Sequence, residues 1–130
     1  MMAISCIVLA DCVHLDLTAA SVVDRSTLCV CDTSYTGTGI RMKAQRGRGG
    51  VVSDVTYKNI HMEEIQGQCV QVTLNYHADL KPTNKTGTPV FRNILLENVR
   101  CDKGSTSFWI DGLNEQKIEN LTLRCVAYLL

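Results

Sequence analysis

Apolar residues alternate with polar ones at every second position along much of this chain, and no stretch repeats them at the three-to-four-residue spacing of a helix. The alternating segments fall into two interleaved sets. One comprises Val55 and Tyr57, then Ile94 and Leu96, then Leu121 and Leu123; the other comprises Ile40 and Met42, then Val70, Val72 and Leu74, then Phe108 and Ile110. Within each set the segments recur about every 27 to 39 residues. That recurrence predicts the stacked coils of a parallel β-helix, where each coil buries its inner face only against its neighbours.

Asn59, Asn98 and Asn120 lie beside these segments and Asn93 stands at the entry to one, so they read as corner residues whose side chains satisfy backbone groups where coils turn. The stretch 77–88 carries Pro82 and Gly87 and reads as the longest loop, with the extended chain resuming at Pro89. Trp109 alternates with Phe108 and Ile110 and therefore faces outward, where it could offer a stacking surface for a sugar. It reads as packed or covered by a loop. Tyr57 reads as a core or edge residue.

Composition narrows the partners. Of 130 residues 45% are apolar, as in ordinary globular chains, and thirteen acidic residues balance thirteen basic ones. There is thus no broad basic field for nucleic acid or an anionic membrane, and any anion site must be local. The single run from Arg46 to Gly50 lacks the interleaved aromatics of an RNA-binding segment and reads as a tight turn, its glycines supplying positive φ. No stretch approaches the roughly 20 apolar residues of a membrane span. The apolar run Ala3 to Ala10 has no preceding Lys or Arg and is broken by Asp11, so it is not read as a signal peptide.

Seven cysteines cannot all pair within one chain, and Cys29-x-Cys31 is spaced more tightly than a zinc pair, with no second ligand pair to answer it. They read as small buried apolar residues in strands, with disulfides left open, and no metal or cofactor is called for. Two glycosylation sequons, Asn84-Lys85-Thr86 and Asn120-Leu121-Thr122, fit a secreted protein; the first falls in the predicted loop.

The densest chemistry lies in Gly39-Ile40-Arg41-Met42-Lys43. On a strand, Arg41 and Lys43 project from one face, roughly 6–7 Å apart, and Ile40 and Met42 from the other. The Arg fork matches a carboxylate through two parallel hydrogen bonds, and the Lys adds a mobile point charge beside it. A solvated strand face would show the same spacing, so context must decide.

That context is Thr38-Gly39-Ile40-Arg41-Met42-Lys43 with its glycine-rich turn and 51–60, continuing through Val70 to Tyr76, then Pro89-Val90-Phe91-Arg92-Asn93-Ile94, and Gly112-Leu113 to Ile118–Leu123. It resembles the C-terminal third of the polygalacturonases, glycoside hydrolase family twenty-eight, over about Cys29 to Val126. The resemblance implies an all-β, right-handed parallel β-helix, here a partial solenoid of roughly three to four coils, and hydrolysis of the α-1,4 links of pectin's galacturonan. It implies that Arg41 and Lys43 occupy the family's Arg-Ile-Lys motif, which grips the substrate carboxylate, with Met42 in place of the usual Ile. Tyr76 falls where the family carries a tyrosine lining the same groove. Alternation puts Tyr76 in phase with inward Val70, Val72 and Leu74, so that role requires the strand to bend near its end.

The family's acids, in Asn-Thr-Asp, Asp-Asp and Gly-His-Gly motifs, have no counterpart in these 130 residues. Inverting glycosidases need an acid and a base carboxylate roughly 6.5–9.5 Å apart. Asp11, Asp16, Asp24 and Asp32 are isolated and read as turn or surface residues, and His14 as equally bland. No catalytic residue is assigned, and the chain reads as an incomplete member. Residues 1–28 form a divergent or poorly ordered segment and 29–130 the coils, with an uncapped solenoid end prone to self-association. The expected partner is a galacturonan oligosaccharide, and the expected location of the full-length family is extracellular or in the cell wall. A non-catalytic pectin-binding module is the alternative; a pectate lyase would hold calcium with clustered acids, which the sequence does not display.

Overall fold

The computed structural model describes the backbone at 14–16, 22–29 and 32–34 and the chain over 37–129, with side chains placed over 37–129. Among the described residues nine strands follow one another: β1 (His14–Asp16), β2 (Val22–Cys29), β3 (Asp32–Ser34), β4 (Ile40–Lys43), β5 (Val51–Glu63), β6 (Gln68–Thr73), β7 (Val90–Asp102), β8 (Thr106–Asp111) and β9 (Glu119–Leu129). No helix occurs among the described residues. Every pairing among the described strands is parallel, in two sheets ordered β1-β4-β6-β8 and β2-β5-β7-β9, with β3 also on β5. From β4 onward successive strands alternate between the sheets, the winding of a parallel β-helix.

The two interleaved apolar sets are these two sheets. Ile40, Val70 and Phe108 stand in one lateral row and Met42, Val72 and Ile110 in the next. On the other sheet Val55, Ile94 and Leu121 align, as do Tyr57, Leu96 and Leu123. These rows face one another to make the core, in which Ile40, Met42, Val55, Tyr57, Val72, Leu74, Ile94 and Leu96 are buried. Stacking like on like lets each coil remove its inner face from water only through its neighbours. The outermost row shows the converse: Ile110 and Leu123, inward by alternation, are 44% and 45% exposed, because β8 and β9 each have a strand on one side alone.

Each long strand turns corners at single residues in the left-handed region. Asp54, Asn93 and Asn120 have φ of 58°, 53° and 49°, and Asn59 and Asn98 have φ of 57° and 53°. Asn and Asp tolerate this conformation best among non-glycine residues. The corners also bond from coil to coil: Asn120 Nδ2 donates to Asn93 Oδ1 (3.0 Å), Asn93 Nδ2 to Asp54 Oδ1 (3.1 Å) and Asn98 Nδ2 to Asn59 Oδ1 (2.7 Å). On the outer face Glu97 lies between Lys58 and Arg124, each at 2.9 Å, and the hydrogen bonds from Lys58 and then Arg124 lower its pKa.

A disulfide joins Cys69 on β6 to Cys101 on β7, both buried, so two of the cysteines read as apolar filler are a covalent link across the core. Cys125 is free and exposed. Of the segment 1–28, β1 and nearly all of β2 pair in parallel with β4 and β5. Its remaining residues, Asp11 and the apolar run Ala3 to Ala10 among them, lie outside the described residues, as do Tyr35 and Thr36.

Candidate substrate-binding site

β4 buries Ile40 and Met42 completely and turns Arg41 and Lys43 to the outer face of its sheet, as alternation requires. Gly39 directly precedes the strand, where a side chain would collide with Met62 and the Cys69 carbonyl, so β4 enters packed tightly against the core. Immediately after it, Gly47, Gly49 and Gly50 take φ of 89°, 62° and 84°, and the amides of Gly47 and Gly49 both donate to Gly87 O, at 2.8 and 3.1 Å. The arginine–glycine run is therefore a turn, and it anchors the long loop between β6 and β7.

That loop supplies the third residue. β6 ends at Thr73, Leu74 remains buried, and the chain then bends so that Tyr76 N donates to Ala44 O at 3.1 Å. The bend removes Tyr76 from the inward phase and lays its ring over the two cations. Arg41 Cζ lies 5.2 Å and Lys43 Nζ 4.4 Å from the ring centroid, within cation–π range, and Tyr76 as a residue remains 38% exposed. Arg41 Nε is buried and has no hydrogen-bond partner among the described residues. A ring and two positive charges converging on one exposed spot suit a ligand that carries both a carboxylate and an apolar face.

Arg46, which the sequence reading placed in a turn, fixes this corner. Its guanidinium meets Glu115 through two prongs, Nε to Oε1 at 2.6 Å and Nη2 to Oε2 at 3.0 Å. Nη1 donates to Leu80 O at 2.9 Å and Asn75 Oδ1 at 3.3 Å, on either side of Tyr76. The Arg46 hydrogen bond, with one to its own backbone, holds the Glu115 carboxyl down to about 2. Nothing local in the sequence marks this tie, because Glu115 is 69 residues away.

The outer face extends across the sheet in two rows, Arg41-Gln71-Trp109 and Lys43-Thr73-Asp111. Gln71 and Thr73, in the middle of these rows, are buried polar residues. Asn75 ties the second row together: its backbone N donates to Thr73 Oγ1 (3.0 Å) and its Nδ2 to Asp111 Oδ2 (3.3 Å). Gln71 and Thr73 went unnoticed in the sequence although their polar phase between Val70 and Val72 was the available signal. Trp109 faces outward as alternation predicts but is 43% exposed, so it is not covered by a loop. β1 sets His14 and Asp16 at register positions beside Arg41 and Lys43.

Among the described residues one group has ligand atoms close enough for a metal, His61, Glu63 and Asp102, within 4.8 Å of one another on the opposite sheet. Asp102 is already engaged: it bonds His61 Nε2 at 3.0 Å and accepts from Arg100 Nε at 2.8 Å, and these contacts, His61 first, lower its pKa. It stands apart from the groove and is read as a surface network.

The chain is 34% identical to endopolygalacturonase I of Aspergillus aculeatus over an alignment of 84 residues, which covers 55% of this chain and 22% of that enzyme. The chain thus spans less than a quarter of the length of that relative. No solved structure matches it. The family model for glycosyl hydrolases family 28 matches residues 18–128, beginning upstream of Cys29, where the recognisable motifs start. With nearly its whole length matched, the chain belongs to glycosyl hydrolases family 28.

Proposed function

We propose that this chain is the substrate-gripping portion of a polygalacturonase-like hydrolase of pectin, in which Arg41 and Lys43 bind the carboxylate of a galacturonate unit and Tyr76 lines the same groove. The observation that carries this reading is the meeting of these three side chains on one exposed spot, with the Tyr76 ring 4.4 Å from Lys43 Nζ and 5.2 Å from Arg41 Cζ. A guanidinium aligned on a carboxylate contributes about 1.5–3 kcal/mol through charge-assisted bonds. The ring excludes water from one side of the pair and strengthens it further.

In the full-length family the reaction is an inverting hydrolysis: one carboxylic acid protonates the leaving glycosidic oxygen while a carboxylate takes a proton from the attacking water. The clamp's part is to hold the sugar so that its anomeric carbon meets both. The three acid motifs are not among the 130 residues, so we expect these residues by themselves to bind without cleaving. A second reading, a non-catalytic pectin-binding module, rests on the same three side chains. The accompanying fold is a right-handed solenoid of roughly three to four coils, the right-handed crossover being the general rule for parallel strands. Location outside the cell or in the cell wall follows from the pectic substrate.

Titration with oligogalacturonate and with the same oligomer after reduction of its carboxyl groups tests this. Micromolar binding of the acid form alone is the expected result, with no new reducing ends released. Equal binding of both forms would overturn the clamp, and release of reducing ends would overturn the non-catalytic assignment.

A further inference from the structure

The clamp occupies one end of a row on the outer face of the sheet, and the register leaves a second feature in line with it. Arg41, Gln71 and Trp109 occupy one lateral row on the outer face, one residue per coil. Strands in a sheet are about 4.8 Å apart, which puts Trp109 roughly 10 Å from Arg41 along the row. Trp109 is 43% exposed, although a side chain of that size normally buries most of its surface. It stands on the same outer face as Arg41, and the polar residue of the next row, Asp111, is turned to Asn75 by the 3.3 Å bond.

We propose that Trp109 is a stacking platform for a pectic sugar two units along the chain from the one held by Arg41 and Lys43. A hexose unit advances a glycan by about one strand spacing, so a unit on the clamp would put the next over Gln71 and the third over the indole. The indole offers a flat apolar face to the C–H face of a pyranose ring, and its rigidity keeps the ordering cost low. The ligand class is therefore a galacturonan of at least three units, bound across the coils. This inference rests on the proposed clamp and adds to it a length requirement.

Trp109 is the single tryptophan of the chain, so its own emission reports the contact. Trigalacturonate is expected to shift the emission, and digalacturonate to bind with little shift. By calorimetry, Trp109→Ala should weaken trigalacturonate about fivefold or more while leaving digalacturonate within about twofold, and Trp109→Phe should recover most of the difference. Trigalacturonate binding that is lost in Arg41→Ala, yet leaves the emission and the Trp109→Ala affinity unchanged, would overturn the platform and leave the clamp standing. Equal weakening of both oligomers by Trp109→Ala and Trp109→Phe would mark a general structural effect and also overturn it. Absence of any oligogalacturonate binding would overturn both clamp and platform.

Discussion

The Lys43 ammonium stands 4.4 Å from the centre of the Tyr76 ring, although in the sequence the two residues lie on different coils and Tyr76 falls in the inward phase of its strand. The bend after Leu74 brings them together, and Arg41 joins them at 5.2 Å. If the ring, more than its hydroxyl, supports the cations, then Tyr76→Phe should bind oligogalacturonate within about twofold of the parent. Tyr76→Ala should lose roughly 1 kcal/mol of binding free energy, read by calorimetry.

Arg46 holds the loop carrying Tyr76, and a Lys in its place cannot reproduce the two-pronged bond to Glu115. Both Arg46→Ala and Arg46→Lys should therefore lower the thermal midpoint. The pH dependence has a definite sign. Glu115 is depressed from 4.5 to about 2 in the folded protein, so its contribution is fully present above about pH 4.5 and is lost as pH falls toward 2. The difference in midpoint between parent and Arg46→Ala should be constant above pH 4.5 and shrink below it; a difference that grows on acidification would contradict the assignment.

The Cys69–Cys101 disulfide closes a separation of 32 residues. The chain-entropy estimate for a loop of that length is about 3–4 kcal/mol at 25 °C. Denaturant unfolding of Cys69→Ala/Cys101→Ala beside the oxidised parent should show a loss of this order. Coincident curves would mean that the link adds nothing to stability.

Cys125 has φ of 51° and sits 27 residues beyond Asn98, the same step that separates Asn120 from Asn93. It thus occupies a corner where the neighbouring coils place Asn59 and Asn98, and its thiol cannot extend their amide ladder. Cys125→Asn should raise stability by about 1 kcal/mol, by relieving the left-handed strain and adding one amide bond. A lower thermal midpoint in that variant would argue against the ladder as a stabilising device.

The core and its winding were legible because a β-helix repeats one rule, inward at every second position and the same sheet at each coil, so Ile40, Val70 and Phe108 announce one another. The corner positions of the asparagines were legible because Asn favours turns, but their bonds run to side chains of the neighbouring coils where backbone groups were the expected partners. The positions of Arg41 and Lys43 follow from alternation alone. What escaped is set by tertiary contact. The Arg46–Glu115 tie and the Cys69–Cys101 link join positions that no local pattern connects, and the exposure of Trp109 depends on whether a distant loop covers it. The exposed Ile110 and Leu123 show the limit of periodicity itself, which fixes the direction of a side chain but not whether a neighbouring coil covers it.

The central claim is that Arg41 and Lys43 grip a galacturonate carboxylate, and calorimetric titration of trigalacturonate into the parent chain and Arg41→Ala tests it most directly. The account predicts micromolar binding in the parent and a loss of at least about tenfold in the variant, the weight of one charge-assisted pair. Binding of equal strength in the two proteins, both folded by circular dichroism, would contradict it.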